Sequence, residues 1–427
     1  MNIIRIIKLP YVVIALSGFI STSLFGATKY INFSGNNIGG TGNSTNVYQA
    51  SNWSGYSGGS PTNYTIDSDG NGQANPGDVI QLRVRGDAAN PTSAAAPATT
   101  NAANYTLDAF NVGDFGEAYA KIASGHTMNT RNLGVGAVTN NSTVDGNGTL
   151  YVEGTANVSN AFISGQSAGA TNTNGFIGTT IIRDGGVINA AKNAALGQMN
   201  ANTAAPGTGV LTIETGGVFN HDSSVQTAST NGFVIGKNSG STGTLNMNGG
   251  TANLYTFTAG DQNTANTGQT VNVNMNAGAI NIEGWINGQA DDTTVERHLT
   301  FDEGVIYLKD NWNGTQYTGK GGEITQLLVD YFGAGTGSLT LTTTVINGGL
   351  SDAGLITTLT NDYTGGAGSI EVDGGTIYYG RDNNVFGAID DINGGGRYAI
   401  WAVPEPSAYS LIAGMLAMTA IMLRRRL

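Results

Sequence analysis

Residues 209–217 read Gly209-Val210-Leu211-Thr212-Ile213-Glu214-Thr215-Gly216-Gly217, and the fold follows from how that stretch is read. A glycine opens it. Leu211 and Ile213 alternate with polar neighbours, which places two apolar side chains on one face of a short strand. A Gly-Gly pair then ends the strand in a turn. The same phrase returns at 148–154, 243–250 and 368–375, with variants ending at Gly185, Gly278, Gly304 and Gly348. The turn glycines fall at 154, 185, 216, 249, 278, 304, 348 and 374, at intervals of 31, 31, 33, 29, 26, 44 and 26 residues. Most of these intervals have the size of solenoid repeats.

A second short strand lies between many of the turns, as at 161–165 and 232–236. One repeat has too few apolar residues to bury its own face. Stacked coils bury a continuous narrow column and pair each strand with the next coil ~4.8 Å away. Glycine at the corners permits sharp bends and positive φ, and Asn and Thr at equivalent positions can stack as hydrogen-bonding ladders. The expected fold is all-β: a β-solenoid, specifically a right-handed parallel β-helix, over residues 146–402. A stack of antiparallel sandwiches would require longer hydrophobic alternations and a distinct linker, and the sequence has neither.

Upstream, residues 1–27 read as a secretory signal peptide, with Arg5 and Lys8 ahead of an apolar run and small residues leading to Ala27. Its partners would be the Sec translocon and signal peptidase. Residues 28–145 form a less regular β-rich region, with strands expected near 30–33, 79–84, 105–110 and 118–122 and an exposed loop over 88–104. Within it, Asp67, Asp69, Asn71, Asn75 and Asp78 occupy positions 1, 3, 5, 9 and 12 of a loop whose sixth residue is Gly72, and Gln73 stands at position 7. Hard oxygen ligands at that spacing suit calcium, and the loop resembles the dockerin type. Pro76 and the strand-like run after Asp78 depart from that pattern. A hairpin turn rich in Asp, Asn and Gly is the other reading.

Downstream, residues 285–335 concentrate Trp285, His298, Phe301, Tyr307, Trp312, Tyr317, Tyr331 and Phe332 beside Asp291, Asp292, Glu296, Asp302 and Glu303. Two readings stand: larger core residues plus an insertion in one coil, or a carbohydrate groove. Residues 403–427 hold Pro404-Glu405-Pro406, an uncharged apolar run over 408–423, and Arg424-Arg425-Arg426. The run would span roughly 24 Å as a helix, near the shortest length that crosses a bilayer core. The arginines would stop it on the cytoplasmic side.

The order, spacing and position of these three parts resemble the PEP-CTERM sorting signal of exopolysaccharide-producing Gram-negative bacteria. The resemblance implies recognition by an exosortase, an inner-membrane intermediate, removal of the tail, and delivery to the cell surface or extracellular matrix. An ordinary C-terminal membrane anchor is the alternative. The Gly-rich strand repeats in turn resemble those of autotransporter passenger domains and of many PEP-CTERM cargo proteins.

Composition narrows the function. The chain has 427 residues, no cysteine and a formal charge of −12. Setting aside Arg5, Lys8, Arg424 to Arg426 and Glu405 leaves 13 bases against 29 acids, near −16. That balance argues against nucleic acid, which needs a basic face. The absence of cysteine excludes disulfides and thiolate chemistry. His126, His221 and His298 are isolated in sequence, and His221, just past a Gly-Gly turn, is expected at the surface. The carboxylate pairs 291/292, 302/303 and 390/391 are adjacent residues, which point to opposite faces of a strand. No Gly-x-Ser-x-Gly elbow lies between a strand and a helix, and no His-Glu-x-x-His motif occurs. The expectation is a non-enzymatic surface or matrix protein in contact with exopolysaccharide. A β-helix lyase or glycosidase and a calcium-stiffened adhesin are the alternatives.

Overall fold

The structure, a computed structural model, describes the strands at 28–34, 54–57, 60–63 and 79–85 and residues 93–95 and 97–100. It describes 104–113, 116–137, 146–167, 176–199, 206–221, 232–260, 267–287 and 295–309. It also describes the strands at 338–341, 344–347, 368–372, 375–381 and 397–404. Residues 1–27, the loop 67–78 and the tail from 405 onward lie outside the described residues.

Every described element is a strand, and the central ones form a parallel β-solenoid. Each coil has three faces. The first face is built from Gly116–Ile122, Gly146–Val152, Phe176–Ile182, Gly207–Glu214, 242–248, 270–277 and Glu296–Phe301, each parallel to the next. The second runs through 127–130, 155–158, Val187–Ala190, Val218–His221, 251–254, 279–282 and Val305–Lys309. The third runs through 132–137, 161–167, Asn193–Met199, Phe233–Lys237, 257–259 and 285–287.

The repeat glycines mark the corner between the first and second faces. Gly186 donates its N–H to the Arg183 carbonyl at 2.8 Å, and Gly217 to the Glu214 carbonyl at 2.9 Å. Gly185 and Gly216, the third residues of these turns, hold φ of 73° and 79°, a conformation that glycine enters without steric penalty.

Alternation sends every second side chain inward. One row runs Ile122, Val152, Ile182, Ile213, Met247, Met275 and Phe301 through successive coils of the first face, all buried. The third face contributes Phe162, Ala194, Phe233 and Phe257. Phe301 therefore belongs to the core and not to a surface groove. Arg297 is also fully buried, and its Nε donates to the Ala259 carbonyl at 2.9 Å.

Opposite the turns, the first and third faces meet backbone to backbone. A Cβ added to Gly178 would lie 2.0 Å from the Val135 carbonyl oxygen and 2.2 Å from the Gly165 nitrogen. Gly148, Gly209 and Gly243 meet Gly136, Gly197 and Gly236 in the same way. Two interleaved glycine rows thus make this edge thin.

The structure differs from the sequence reading in four places, three of them in the N-terminal and central coils. Parallel stacking begins before residue 146: 104–107 pairs with 127–130, and Thr28–Ser34, Val79–Arg85 and 109–112 extend the third face. The end of the expected 88–104 loop is part of a coil, since Ala98–Thr99 pairs with 120–121 and Thr100 is buried. The Thr100 hydroxyl accepts from the Ala123 N–H at 2.9 Å and lies 3.0 Å from His126 Nδ1. His221 is buried at 3% exposure, because parity along Val218–His221 turns residues 219 and 221 inward.

The pairing changes at the C-terminal end. Ser338–Leu341 stacks in parallel on Glu296–Phe301 and then forms an antiparallel hairpin with Thr344–Asn347. Gly368–Val372 and Gly375–Arg381 form a second hairpin. Arg397–Pro404 lies antiparallel between Val305–Lys309 and Gly375–Arg381. The unit ending at Gly374 is therefore a hairpin and not another coil.

Candidate functional site

The outer surface of the second face is an asparagine ladder. Asn129, Asn157, Asn189, Asn220, Asn253 and Asn281 occupy one register position in successive coils. Each Nδ2 donates to the Oδ1 of the preceding coil, at 2.8 Å for the first three bonds and 2.7 Å for the last two. The first face has a shorter version: Asn274 donates to Asn246 at 2.7 Å, and Asn246 to Thr212 at 3.2 Å. The sequence expectation of Asn/Thr ladders is met. Each amide is half-buried and would lose its bond without a neighbour at the coil spacing, so the ladder adds polar registration to a sheet whose register the buried apolar rows already favour.

Breaking the ladder at its middle has a calculable cost. Asn189→Leu removes one donated and one accepted bond, each worth about 0.5–1.5 kcal/mol. A loss of roughly 1–3 kcal/mol is expected in urea denaturation. Asn276→Leu, at an exposed end position with a single bond to Asn248, is expected within about 0.5 kcal/mol of the parent.

Charge sits beside the ladder at the corner between the first two faces. Glu153 pairs with Lys121 at 3.4 Å and with Arg183 at 3.1 Å, and Arg183 reaches Glu214 at 3.9 Å. The Arg183 guanidinium also lies 4.2 Å from the centre of the Tyr151 ring. Exposed pairs of this kind contribute little stability each.

Further toward the N-terminus on the first face, Tyr119 donates its hydroxyl to the Glu117 carboxylate. That bond, helped by burial, pushes the phenol from 10.0 up to about 12. Because the folded chain holds this proton more tightly than the unfolded chain, the associated stability is complete below pH 10 and is lost as pH rises toward 12. Ultraviolet difference titration should show one tyrosine ionising late, and Glu117→Gln should return its midpoint toward 10.

At the corner between the second and third faces, a groove of about 390 Å³ runs along the ladder, lined by Asn129, Asn157, Asn189, Thr130, Arg131 and Ser159 among others. Arg131, 63% exposed, reaches Asp108 at 3.4 Å.

The residues singled out in the sequence are distributed as follows. Asp67, Asp69, Asn71, Gln73, Asn75 and Asp78 lie outside the described residues, as do Glu405, Pro406 and Arg424 to Arg426. Pro404 is the last residue of the strand Arg397–Pro404 and stands in register with Gly375. The histidines are not brought together. His126 lies by Thr100, His221 Nε2 is 2.7 Å from the Lys192 carbonyl, and His298 is 3.6 Å from Glu296. Among the described residues no group of three His, Asp or Glu is placed to hold a metal ion, and no helix is long and apolar enough to cross a membrane. Asp302 and Glu303 follow Phe301 in the corner bend, where both backbone N–H groups donate to the Met275 carbonyl at 2.9 and 3.1 Å.

The groove is the feature that sequence reading missed. It depends on which residues of three coils become neighbours, and a corner carries no motif of its own. The Asn at one register of six successive second-face strands was the available signal.

These features define the class: a parallel β-solenoid with a polar ladder along one outer face. No family model, curated protein or solved structure matches the chain.

Proposed function

We propose that this chain is an exported structural protein of the cell surface or extracellular matrix, sorted through its C-terminal signal by an exosortase. It would act mechanically and by adhesion, as a stiff right-handed solenoid that spaces and contacts exopolysaccharide or neighbouring proteins. The observation that carries the sorting part is the tail: Pro404-Glu405-Pro406, the apolar run 408–423 and Arg424-Arg425-Arg426. The ladder supports the mechanical part, since each coil is held to the next by side-chain as well as backbone bonds.

Arg397–Pro404 is paired on both sides, so a cut inside it would remove a central strand and open the edge of Val305–Lys309. Open edges invite association. Tail removal after Pro404 would keep this strand whole, which supports the reading.

Cell fractionation with terminal mass analysis tests the proposal. The expected product lies outside the cell, lacks residues 1–27 and ends between Pro404 and the apolar run. Recovery of chains ending at an intact Leu427 in the inner membrane would sink the sorting reading.

A further inference from the structure

Asparagine is a chemically labile residue, most of all where glycine follows it. Two Asn-Gly pairs lie wholly among the described residues, 147–148 and 248–249. We infer that Asn248-Gly249 is a site of spontaneous deamidation, and that its isoaspartate product opens the corner between the first and second faces. The inference goes beyond the surface role and does not rest on it.

In this reaction the Gly249 backbone nitrogen attacks Asn248 Cγ. The N–Cγ bond forms, the Cγ–Nδ2 bond breaks, and ammonia leaves with the proton that the backbone nitrogen gives up. Water then opens the cyclic imide at one carbonyl to give aspartate, or at the other to give isoaspartate. Glycine in the second position helps, because no Cβ shields its nitrogen. The corner also lacks the regular ladder that would hold both residues extended. Glu214 faces both Asn248 and Gly249, and the register toward the next coil shifts on either side of Asn248. Such an irregularity disrupts the pairing locally. Gly249 holds φ of 104°, and Asn248 is exposed. Its side chain is held from the next coil by exposed Asn276, whose Nδ2 donates to Asn248 Oδ1 at 2.8 Å. Ring closure swings the Asn248 side chain toward Gly249, so this bond acts as a brake.

Asn147-Gly148 has the same two residues in the opposite setting. Its strand stays in unbroken register with Gly116–Ile122 and with 177–182, and Asn147 Oδ1 is buried. Gly148 belongs to the interleaved glycine rows, where a Cβ would lie 2.1 Å from the Val112 carbonyl oxygen. Backbone rotation there would have to part the first face from the third. At the reactive corner the two products differ in effect. Aspartate at 248 still offers an oxygen to Asn276. Isoaspartate routes the main chain through the side chain and lengthens the corner by a methylene. Gly250 has no space to take it up: a Cβ there would lie 2.4 Å from Ile213 Cγ2 and 2.6 Å from both the Glu214 and the Gly217 carbonyl oxygens. The excess length therefore displaces 251–254 from their pairing with Val218–His221.

The test begins with the unaltered protein. The purified full-length chain is aged at mildly alkaline pH, digested, and mapped by mass spectrometry with isoaspartate methyltransferase labelling. The expected result is isoaspartate at 248 and none at 147. Asn276→Leu should speed conversion about two- to tenfold, the factor that one net hydrogen bond is worth. Asn248→Gln should stay unlabelled at this position, because closing the larger ring is slow. Hydrogen exchange on the isoaspartate fraction should show protection lost at 251–254 and kept at 155–158. Conversion at 147 level with or ahead of 248 overturns the assignment. So does an unlabelled 248 once an unfolded Asn-Gly control peptide has fully converted. An Asn276→Leu rate no faster than the parent also overturns it, as does an isoaspartate form whose exchange is unchanged. The measurement uses isolated protein, so its failure leaves the sorting reading intact, and a chain retained in the inner membrane leaves this result unaffected.

Discussion

Gly165→Ala is expected to destabilise the solenoid by about 2–5 kcal/mol, the sum of a left-handed backbone penalty of about 1–2 kcal/mol and an overpacking cost of about 1–3 kcal/mol. Gly165 holds φ of 73°, and a Cβ there would lie 2.0 Å from the Thr208 carbonyl oxygen and 2.6 Å from the Gly209 nitrogen. Both obstacles are backbone, so no side chain can swing away. Relief requires separating the third face from the first, which breaks the parallel ladder on each side. Gly125→Ala is the control. Its φ is 76° and a Cβ there meets nothing within 4 Å. Only the conformational penalty remains, about 1–2 kcal/mol. Urea denaturation of both variants separates the two terms. Equal losses would show that the contact between the glycine rows carries no weight.

Phe219→Ala should cost about 3–5 kcal/mol, the usual range for removing a buried aromatic ring. Phe219 is completely buried on the second face, with its ring centre 5.6 Å from that of Phe162 and 5.3 Å from that of Phe233. Phe162 and Phe233 occupy one row of the third face, with Ala194 between them. The small side chain of the middle coil leaves the space through which the rings of 162 and 219 approach. Truncating Phe219 removes the ring that lies against both Phe162 and Phe233. A solenoid is held together coil by coil, so the damage should centre on the coils around 162, 194 and 233. Hydrogen exchange should show lost protection there, with the coil at 270–287 spared. Uniform loss along the chain would mean that the column unfolds as one unit.

Much of this architecture was legible from residue order. The turn glycines at 154, 185, 216, 249, 278 and 304 do stand at one corner of successive coils. Strand alternation sorted Leu211 and Ile213 inward, and the recurring Asn foretold the ladder. The same parity, counted along Val218–His221, places His221 inside, whereas its nearness to the Gly-Gly turn pointed to the surface. The coil at 116–137 was harder to see, because its corner carries only Gly125. At the other end, Gly368–Val372 and Gly375–Arg381 carry the phrase of a coil yet pair as a hairpin. The Asp373-Gly374 link between them is a hairpin signal that the surrounding repeat obscured.

Residue order alone determined the strands, their inward faces and the period, because alternation and turn preference are local properties of a chain. It also carries the tail that begins at Pro404, the short segment on which the proposed sorting rests. Tertiary structure alone decided that Gly178 lies against Gly165 and Gly209 against Gly197, that an alanine at 194 lets two rings meet, and that three asparagines border one groove. Those contacts join residues of different coils. They exist only once stacking has set the distance between coils, and no local preference encodes that distance.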